Sequence, residues 1–515
     1  MIPGKATVFT LAAMLAAHVA CGATAENGIT AHRGDSMNFP QNTLRAFSAA
    51  NRVGADWIET DVHLTNDGKL VLSHNATTGE YCSQNKVIKE CTYAELAQLD
   101  MAEKCTQAFV ENLRRVADSG RFVYSWTHPW RETDPAFRAA DGDGWRAKEP
   151  GEFKFSSRFN DLTGEEPVMY FTDLRFVAGT YLGEAQYTKN RASLKAMIRK
   201  AWHDYHAVPV FSWHVENPYV PNGWKDPKHG EAPYRYRYIS KDYPQENRHV
   251  IRQILEGTGG PCGFGRCSSC DASAPVATNA NPRAWYDARL AEIASFLLEL
   301  KGTDGRRIPA VVRLFHECED DWQWWGLGSV SVKDYVELFR YTATRLRELA
   351  GGDNLLFAYS PDRYWWRMGA EGDGDAHSFM GRYPGDGFVD IIGYDDYQIG
   401  TGTNMQITVK RQESAVEKMR QITAEARRRG KVCGLFESGA IGAALPDYYD
   451  WLYKAVTADG VGFAFVNMWG GYEIPRSPEG KECLKRFLAK PEVVTFRDGV
   501  DLASPVKPGE ASVKK

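Results

Sequence analysis

The chain has 515 residues, of which 43% are apolar and 25% are charged, a composition typical of globular proteins rather than disordered ones. Its 62 basic and 66 acidic residues give a formal net charge of −4 and are mixed along the sequence. The sequence therefore offers no basic stripe for a nucleic acid or an anionic membrane, and both partners are disfavoured.

Residues 1–25 have the pattern of a secretory signal peptide. A single Lys precedes an apolar run, and small residues follow up to Ala25, after which we expect cleavage. Lipidation at Cys21 is the less favoured alternative, because His18 stands where lipoprotein sites have an apolar residue. No later apolar run is long enough to span a membrane. We therefore expect a secreted or periplasmic protein without a membrane span.

Residues 26–104 form the next segment and read as strand, helix, strand, turn and strand. Its stretches "HRG", "PQNTLRAF", "GADWIETDVHLTNDG" and "SHN" resemble the opening of the glycerophosphodiester phosphodiesterases. The resemblance covers only a truncated part of that family's barrel. This segment is thus expected to be a short βαβ fragment like the start of a second barrel.

The phosphodiesterase resemblance also implies two catalytic histidines and a metal site. The matching positions are His32, Arg33, Glu59, Asp61 and His74. However, Asn75 replaces an Asp of the family, and the sequence shows no third metal carboxylate. We regard these positions as vestigial and predict no metal or other cofactor, with a metal-dependent phosphodiesterase as the alternative function.

Residues 105–496 alternate apolar, strand-like runs with helical patterns such as "DYVELFRYTATRLRELA". The eight candidate strands are "RFVYSWTH", "EPVMYFTDL", "VPVFSWH", "IPAVVRLFHE", "NLLFAYSP", "FVDIIGYDDY", "KVCGLFES" and "VGFAFVNMWG". This alternation predicts an α/β fold, a (β/α)8 TIM barrel. An open doubly wound sheet is disfavoured, because no Gly-rich phosphate loop follows the first strand. Residues 497–515 are predicted to form a disordered tail.

The insert from about residue 217 to residue 283 reads as a long aromatic loop that would wall a cleft. It contains the cluster "CGFGRCSSC", at Cys262, Cys267 and Cys270. The spacing is compatible with a metal, but a disulfide with one thiol left over is favoured in an exported chain. A further disulfide is predicted between Cys82 and Cys91, which flank a short turn-like stretch.

Polar residues at the carboxyl ends of barrel strands are candidate catalytic groups, because these ends meet at one mouth. Glu317 and Glu437 close the fourth and seventh predicted strands. They suit a retaining glycosidase, in which a protonated carboxyl donates to the leaving oxygen and an ionised one attacks the sugar. We assign Glu317 as acid/base and Glu437 as nucleophile. Two buried glutamates held by Arg313 or His316 are the structural alternative.

Four motifs in the barrel region, "SWHVENP", "RLFHECEDDWQWWG", "YPGDGFVDIIGYDDY" and "GLFESG", resemble glycoside hydrolase family 26, best known for endo-β-1,4-mannanases. The resemblance implies the same catalytic roles for Glu317 and Glu437. The substrate-binding positions that it implies are His214, His316, Trp322, Asp395, Tyr397 and Trp469. Of Trp322, Trp324 and Trp325, at least one is expected to face the sugar while the others brace the loop.

The resemblance implies a β-mannan or related polysaccharide as the partner of a monomeric enzyme. The 15 Trp and 24 Tyr suit this substrate, because aromatic rings stack on sugar faces. Leu314, Asp320 and Gln323 depart from the family's usual residues around the acid/base. These departures leave the choice between a mannan, a β-glucan and a β-xylan open.

Overall fold

The structure of the protein, a computed structural model, divides into two compact units, Met1–Lys104 and Cys105–Lys515. It describes residues 28–36, 41–42, 46–47, 50–51, 54–79, 84–97, 99, 103–127, 131–132, 155–156, 158–179, 184–218, 225–226, 230–231, 244–257, 282–302, 307–319, 323–327, 330–351, 354–397, 405–439, 446–469, 475, 477–500 and 502. The predicted signal peptide, Cys82, the three clustered cysteines and Trp322 lie outside these residues.

The first unit contains two small two-stranded sheets. Strand β1 (Thr30–His32) pairs in parallel with β2 (Trp57–Glu59). Strand β3 (Val62–Leu64) pairs antiparallel with β4 (Leu70–Leu72) across the "NDG" turn. A 3-10 helix (Ile88–Glu90) and the short helix α1 (Tyr93–Leu96) follow. The strand order agrees with the predicted strand, helix, strand, turn and strand.

Large apolar side chains stay exposed on these strands, which is unusual for a completed sheet. They are Ile29, Trp57, Ile58, Val62, Leu64 and Leu70. The exposure fits a fragment that lacks the strands and helices of a whole barrel.

The predicted disulfide between Cys82 and Cys91 is wrong, because Cys91 is a free thiol. Its backbone ends the 3-10 helix, with the N–H donating to the oxygen of Ile88 (3.2 Å), and its oxygen accepts from the N–H of Asn66 (2.9 Å). Backbone hydrogen bonds therefore anchor this position without a crosslink.

The second unit is a parallel barrel built from eight of its described strands. They are β5 (Phe122–Trp126), β8 (Met169–Asp173), β9 (Val208–Ser212), β12 (Ala310–Arg313), β13 (Leu355–Tyr359), β14 (Ile391–Asp396), β15 (Val432–Ser438) and β16 (Phe465–Met468). All eight lie within the predicted strand-like runs. Two short hairpins, β6 (Arg131–Glu132) with β7 (Phe155–Ser156) and β10 (Lys225–Asp226) with β11 (Gly230–Glu231), lie in connections between them.

The barrel closes between its first two strands. Thr127, directly after β5, forms a parallel bridge with Phe171 of β8. The hydroxyl of Ser125 also donates to the backbone oxygen of Met169 (2.6 Å). At the other end of β5, the short strand β17 (Val493–Val494) pairs in parallel with Phe122 and Val123. The first strand is thus flanked along its whole length.

The helices lie between the strands in chain order. They are α2 (Glu103–Asp118), α3 (Arg158–Thr163), α4 (Glu184–Tyr205), α5 (Pro244–Glu256), α6 (Pro282–Glu299), α7 (Val332–Ala350), α8 (Met405–Arg428), α9 (Tyr448–Val456) and α10 (Pro478–Leu488). Ser331 starts α7 by accepting a hydrogen bond from the N–H of Asp334, and Ser477 caps α10 in the same way. None of the described helices has both the length and the apolar composition of a membrane span.

Alternate residues of the strands pack on opposite sides, as the two-residue period of a strand requires. Ala310 and Val312 of β12 belong to the large cluster that also holds Phe339 of α7. Val311 belongs to a second cluster, which holds Phe171 and Phe465 from other strands. One apolar layer therefore joins the strands to the helices, and the other fills the barrel.

Three parts of the second unit differ from the sequence-based expectation. The insert expected to be a loop contains α5, because Val250, Ile251 and Ile254 are apolar at helical spacing and fully buried. Residues 360–390, all of them described, connect β13 to β14 without a helix. The described start of the expected tail contains the end of a 3-10 helix (Phe496–Asp498), which is closed by a capping box.

Candidate active site

The mouth of the barrel gathers acidic and imidazole side chains from several strand ends. Asp173 ends β8, Glu317 follows β12, and Asp395 and Glu437 lie opposite each other in β14 and β15. The pairing of these two strands shifts at Asp395, an irregularity of the β-bulge kind. Such bulges re-aim side chains and are common beside active sites.

A buried arginine links two of the acids. Arg313, the last residue of β12, donates from Nη2 to Asp395 Oδ2 (3.0 Å) and to Glu437 Oε1 (2.5 Å). Tyr397 donates its hydroxyl proton to Glu437 Oε2 (2.6 Å), and Ser360 Oγ donates to Asp395 Oδ1 (2.9 Å). Both oxygens of Glu437 therefore accept a hydrogen bond, which fixes the orientation of its carboxylate.

Glu317 lies beside this network and has a different environment. It is buried, and an oxygen of its carboxyl lies within 4.8 Å of oxygens of Asp395 and Glu437. Burial raises its pKa well above the usual value, and the charges of Glu437 and Asp395 raise it further. The raised pKa favours the protonated form of Glu317, which is the form that a general acid requires.

The backbone around Glu317 has an uncommon conformation. Glu317 has a φ of 53° and Phe315 has a φ of 47°, both in the left-handed region that residues other than glycine seldom adopt. The N–H of Glu317 donates to the oxygen of Ser360 (2.9 Å). Strained residues of this kind persist where the surrounding contacts hold them, and they are concentrated at functional sites.

Two histidines predicted to bind substrate lie beside the acid. His214 Nδ1 is hydrogen-bonded to Asp173 Oδ2, and His214 Nε2 lies 3.1 Å from His316 Nε2. The two rings are nearly perpendicular, with centroids 4.4 Å apart. Burial alone would raise the pKa of Asp173, but His214 and Arg175 outweigh it and hold that pKa well below its usual value.

The two described tryptophans of the loop after Glu317 hold this loop in place. Trp324 and Trp325 are fully buried. The indole N–H of Trp324 donates to the oxygen of Val215, and that of Trp325 donates to the oxygen of His316, both at 2.9 Å. These contacts agree with the expected bracing role. Trp469 follows β16, and its backbone N–H donates to the backbone oxygen of Ser438 (2.8 Å).

The structure thus brings His214, His316, Glu317, Asp395, Tyr397 and Glu437 into one buried region. Sequence reasoning did not single out Asp173 or Ser360 and gave Arg313 only a structural role. The strand-end motifs "FTDL" and "YSPD" contain the first two, so their positions at strand ends were a usable indication.

Glu317, Asp395 and Glu437 are also the described acidic residues whose oxygens lie close enough together to hold a cation. The positive charge among them comes from Arg313, which contacts two of the three. The arrangement therefore has an internal counter-charge.

In the first unit, the positions of the phosphodiesterase motif are only partly brought together. His32 Nε2 lies 3.7 Å from Glu59 Oε2, and both side chains are exposed. Asp61 Oδ2 instead accepts from Asn42 Nδ2 (3.0 Å) and is paired with Arg33 Nε (3.2 Å). The hydrogen bond from Asn42 is the main reason why the pKa of Asp61 is lowered.

His74 Nδ1 is hydrogen-bonded to Asn75 Oδ1 (2.9 Å). Within the described part of the chain, His32, Glu59, Asp61 and His74 do not bring three or more ligand atoms close enough together to hold a metal ion.

Comparisons with known proteins identify two families along the chain. Residues 274–454 match the model of glycosyl hydrolase family 26, and residues 32–142 match that of the glycerophosphoryl diester phosphodiesterase family. The second match extends past the first unit and beyond β5 and β6.

Two relatives match separate parts of the chain. A mannan endo-1,4-beta-mannosidase of Bifidobacterium adolescentis is 34% identical over 30% of this chain and 15% of its own length. A glycerophosphodiester phosphodiesterase of Caldanaerobacter subterraneus is 43% identical over 16% of this chain and 33% of its own length. The chain therefore spans a third or less of each of these relatives.

A solved structure supports the fold of the second unit. GH26C from Muricauda sp. aligns with a TM-score of 0.58 over 78% of this chain and 94% of its own, at 23% identity. The likeness confirms the TIM-barrel fold. Together these findings confirm both resemblances, and the chain carries a glycosyl hydrolase family 26 segment after a glycerophosphodiester phosphodiesterase-like one.

Proposed function

We propose that this chain is an exported, retaining endo-β-1,4-mannanase with Glu317 as acid/base and Glu437 as nucleophile. The observation that carries the proposal is the contrast between these two neighbouring carboxyls. Glu317 is buried with a raised pKa, whereas Glu437 is oriented by donors on both of its oxygens. An oxygen of Glu317 lies within 4.8 Å of an oxygen of Glu437, and this short separation supports a retaining mechanism, in which the two carboxyls lie about 5–5.5 Å apart.

The proposed reaction has two displacements. Glu437 attacks the anomeric carbon and forms a glycosyl ester, while Glu317 donates its proton to the departing glycosidic oxygen. Glu317, now ionised, then takes a proton from water, and the resulting hydroxide displaces Glu437 from the sugar. Arg313 and Tyr397 hold Glu437 in place in both steps through the hydrogen bonds described above.

The test of this proposal uses Glu437→Ala and Glu317→Ala. We expect each variant to lower kcat/KM on galactomannan by about 1,000-fold or more while keeping the wild-type circular dichroism spectrum. Glu482→Ala is the matched control, because Glu482 is an exposed glutamate paired only with Lys485 among the described contacts. Full activity in either active-site variant would contradict the catalytic role assigned to the residue that was replaced.

Azide separates the two roles. An aryl mannoside has a leaving group that needs no proton, so Glu317→Ala should still form the glycosyl ester. Azide should then accelerate its turnover by attacking the ester without a general base. Glu437→Ala cannot form that ester, and azide should yield a product of inverted configuration.

The substrate class is tested with mannans, β-glucans and β-xylans side by side. We expect mannan to be cleaved fastest, with internal cuts that lower the viscosity of the solution early in the reaction. Faster cleavage of a β-glucan or β-xylan would contradict mannan as the substrate but leave the proposed retaining mechanism unchanged.

A further inference from the structure

We propose that Asp173 is a positioning residue that fixes the tautomers of His214 and His316 and thereby holds the acid/base in place. The inference rests on the proposed function, because it assigns Glu317 as the group that is held. Asp173, His214 and His316 are each at least 95% buried. They come from the ends of three successive barrel strands.

The three side chains form one continuous hydrogen-bonded row. Asp173 Oδ2 contacts His214 Nδ1, and His214 Nε2 lies 3.1 Å from His316 Nε2. The other oxygen of Asp173 accepts from the N–H of Arg175 (2.8 Å). The carboxylate is therefore held at both oxygens, and one of them faces an imidazole.

The chemistry of these groups gives the row a direction. An ionised carboxylate only accepts hydrogen bonds, so the proton between it and His214 must be on Nδ1. A neutral His214 then has no proton on Nε2. His316 must donate from its own Nε2, because two bare nitrogens cannot form a hydrogen bond.

This direction matters because His316 lies between the two left-handed residues, Phe315 and Glu317. A backbone in that conformation stays in place only if its contacts over-determine it. The side chain of His316 is held by His214, and its backbone oxygen is held by Trp325. The carboxylate of Asp173 therefore acts on Glu317 through two imidazoles.

Asp173→Asn is the diagnostic variant. Its remaining oxygen can still accept from the N–H of Arg175, while its amide would donate to His214 Nδ1. That donation reverses the direction of the hydrogen bonds: the proton of His214 is then on Nε2, and His316 Nε2 accepts it as a hydrogen-bond acceptor. Selective imidazole 15N labelling and NMR should show His214 changing from the Nδ1–H to the Nε2–H tautomer.

We expect Asp173→Asn to lower kcat on galactomannan by about 10- to 100-fold, with a smaller change in KM, because a small displacement of a catalytic group is costly. Asp204→Asn is the control. It makes the same change beside an exposed histidine, His203, at the carboxyl end of α4, so the His214 tautomer and kcat should stay as in the wild type.

The NMR readout separates this inference from the proposed function. If the wild-type protein shows His214 protonated on Nε2, the inference is overturned whatever the activity. If the tautomer reverses in Asp173→Asn but kcat is unchanged, the positioning role is overturned and the mannanase proposal stands. If the wild type cleaves no glycan, the proposed function fails, while the predicted tautomers are still tested.

Discussion

Glu319 is a buried carboxyl two residues after the proposed acid. Its Oε2 accepts from the N–H of Asp362 (3.0 Å), and the thiol of Cys318 donates to Oε1 (3.5 Å). Burial raises the pKa of Glu319 to about 8, and the charge of Arg382 only partly opposes this. The folded protein therefore keeps Glu319 neutral over a pH range in which an exposed glutamate is ionised.

This difference predicts a dependence of stability on pH. Between the ordinary glutamate pKa of 4.5 and about 8, the unfolded chain releases the Glu319 proton and the folded chain retains it. Ionisation thus favours the unfolded state, and the free energy of unfolding should fall as pH rises through this window, by about 2–4 kcal/mol.

Glu319→Gln should remove this part of the pH dependence, because glutamine does not titrate and keeps an oxygen for the N–H of Asp362. The measurement is urea unfolding of both proteins at pH 5 and pH 8, followed by tryptophan fluorescence. Equal losses of stability in the two proteins would contradict the assignment of the titration to Glu319.

At the scale of secondary-structure elements, the close contact between β14 and β15 positions Asp395 and Glu437. Gly393 and Gly434 lie opposite each other two and three residues before these acids. A Cβ atom added at Gly393 would lie 2.3 Å from the backbone oxygen of Gly434, which is far inside contact distance. The two strands can approach as they do only with a glycine at this position.

Gly393→Ala should therefore force the strands apart, destabilising the protein by about 1–3 kcal/mol. Mannan hydrolysis should also fall, because Glu437 moves relative to Glu317. Gly387→Ala is the control, since a Cβ there meets no atom within 4 Å. Thermal unfolding and galactomannan hydrolysis of both variants test this, and a Gly393→Ala protein that matches the control in both would contradict it.

The elements were predictable where local patterns decide them. All eight barrel strands lie in mainly apolar runs with polar residues near their carboxyl ends, and each was found at the expected place. Helix α5 was missed, because its apolar positions follow a stretch rich in proline and tyrosine. The connection after β13 was not predicted either. It contains no helix, and its Trp365 and Phe379 pack against each other in the large apolar cluster.

At the scale of the whole molecule, the two units hold separate candidate chemistries. The acids of the barrel have Arg313 as their positive partner, so EDTA should leave galactomannan hydrolysis unchanged. The phosphodiesterase alternative acts through His32, Glu59, Asp61 and His74 and depends on a metal, so EDTA should abolish any release of glycerol phosphate from glycerophosphodiesters. Loss of mannan hydrolysis with EDTA, restored by a divalent cation, would contradict the prediction for the barrel.

The candidate site was partly predictable from the positions of its residues at the ends of the strands. Glu317 and Glu437 stand at strand ends, and barrel topology alone brings strand ends to one mouth. The partners Asp173 and Ser360 were not identified, because contacts between distant strand ends depend on barrel closure and strand register. The left-handed backbone of Phe315 and Glu317 had no indication in the sequence, since neither residue favours it.

The position of β17 has a consequence for how the polypeptide acquires its structure. The first barrel strand pairs with β16 and β17, which are separated from it by more than 300 residues of chain. Its neighbour β8 is synthesised soon after it, but its hydrogen-bonded partner β16 emerges from the ribosome more than 300 residues later, and such distant pairings make folding slow. This delay agrees with the proposed export, in which a chain crosses a membrane before it folds.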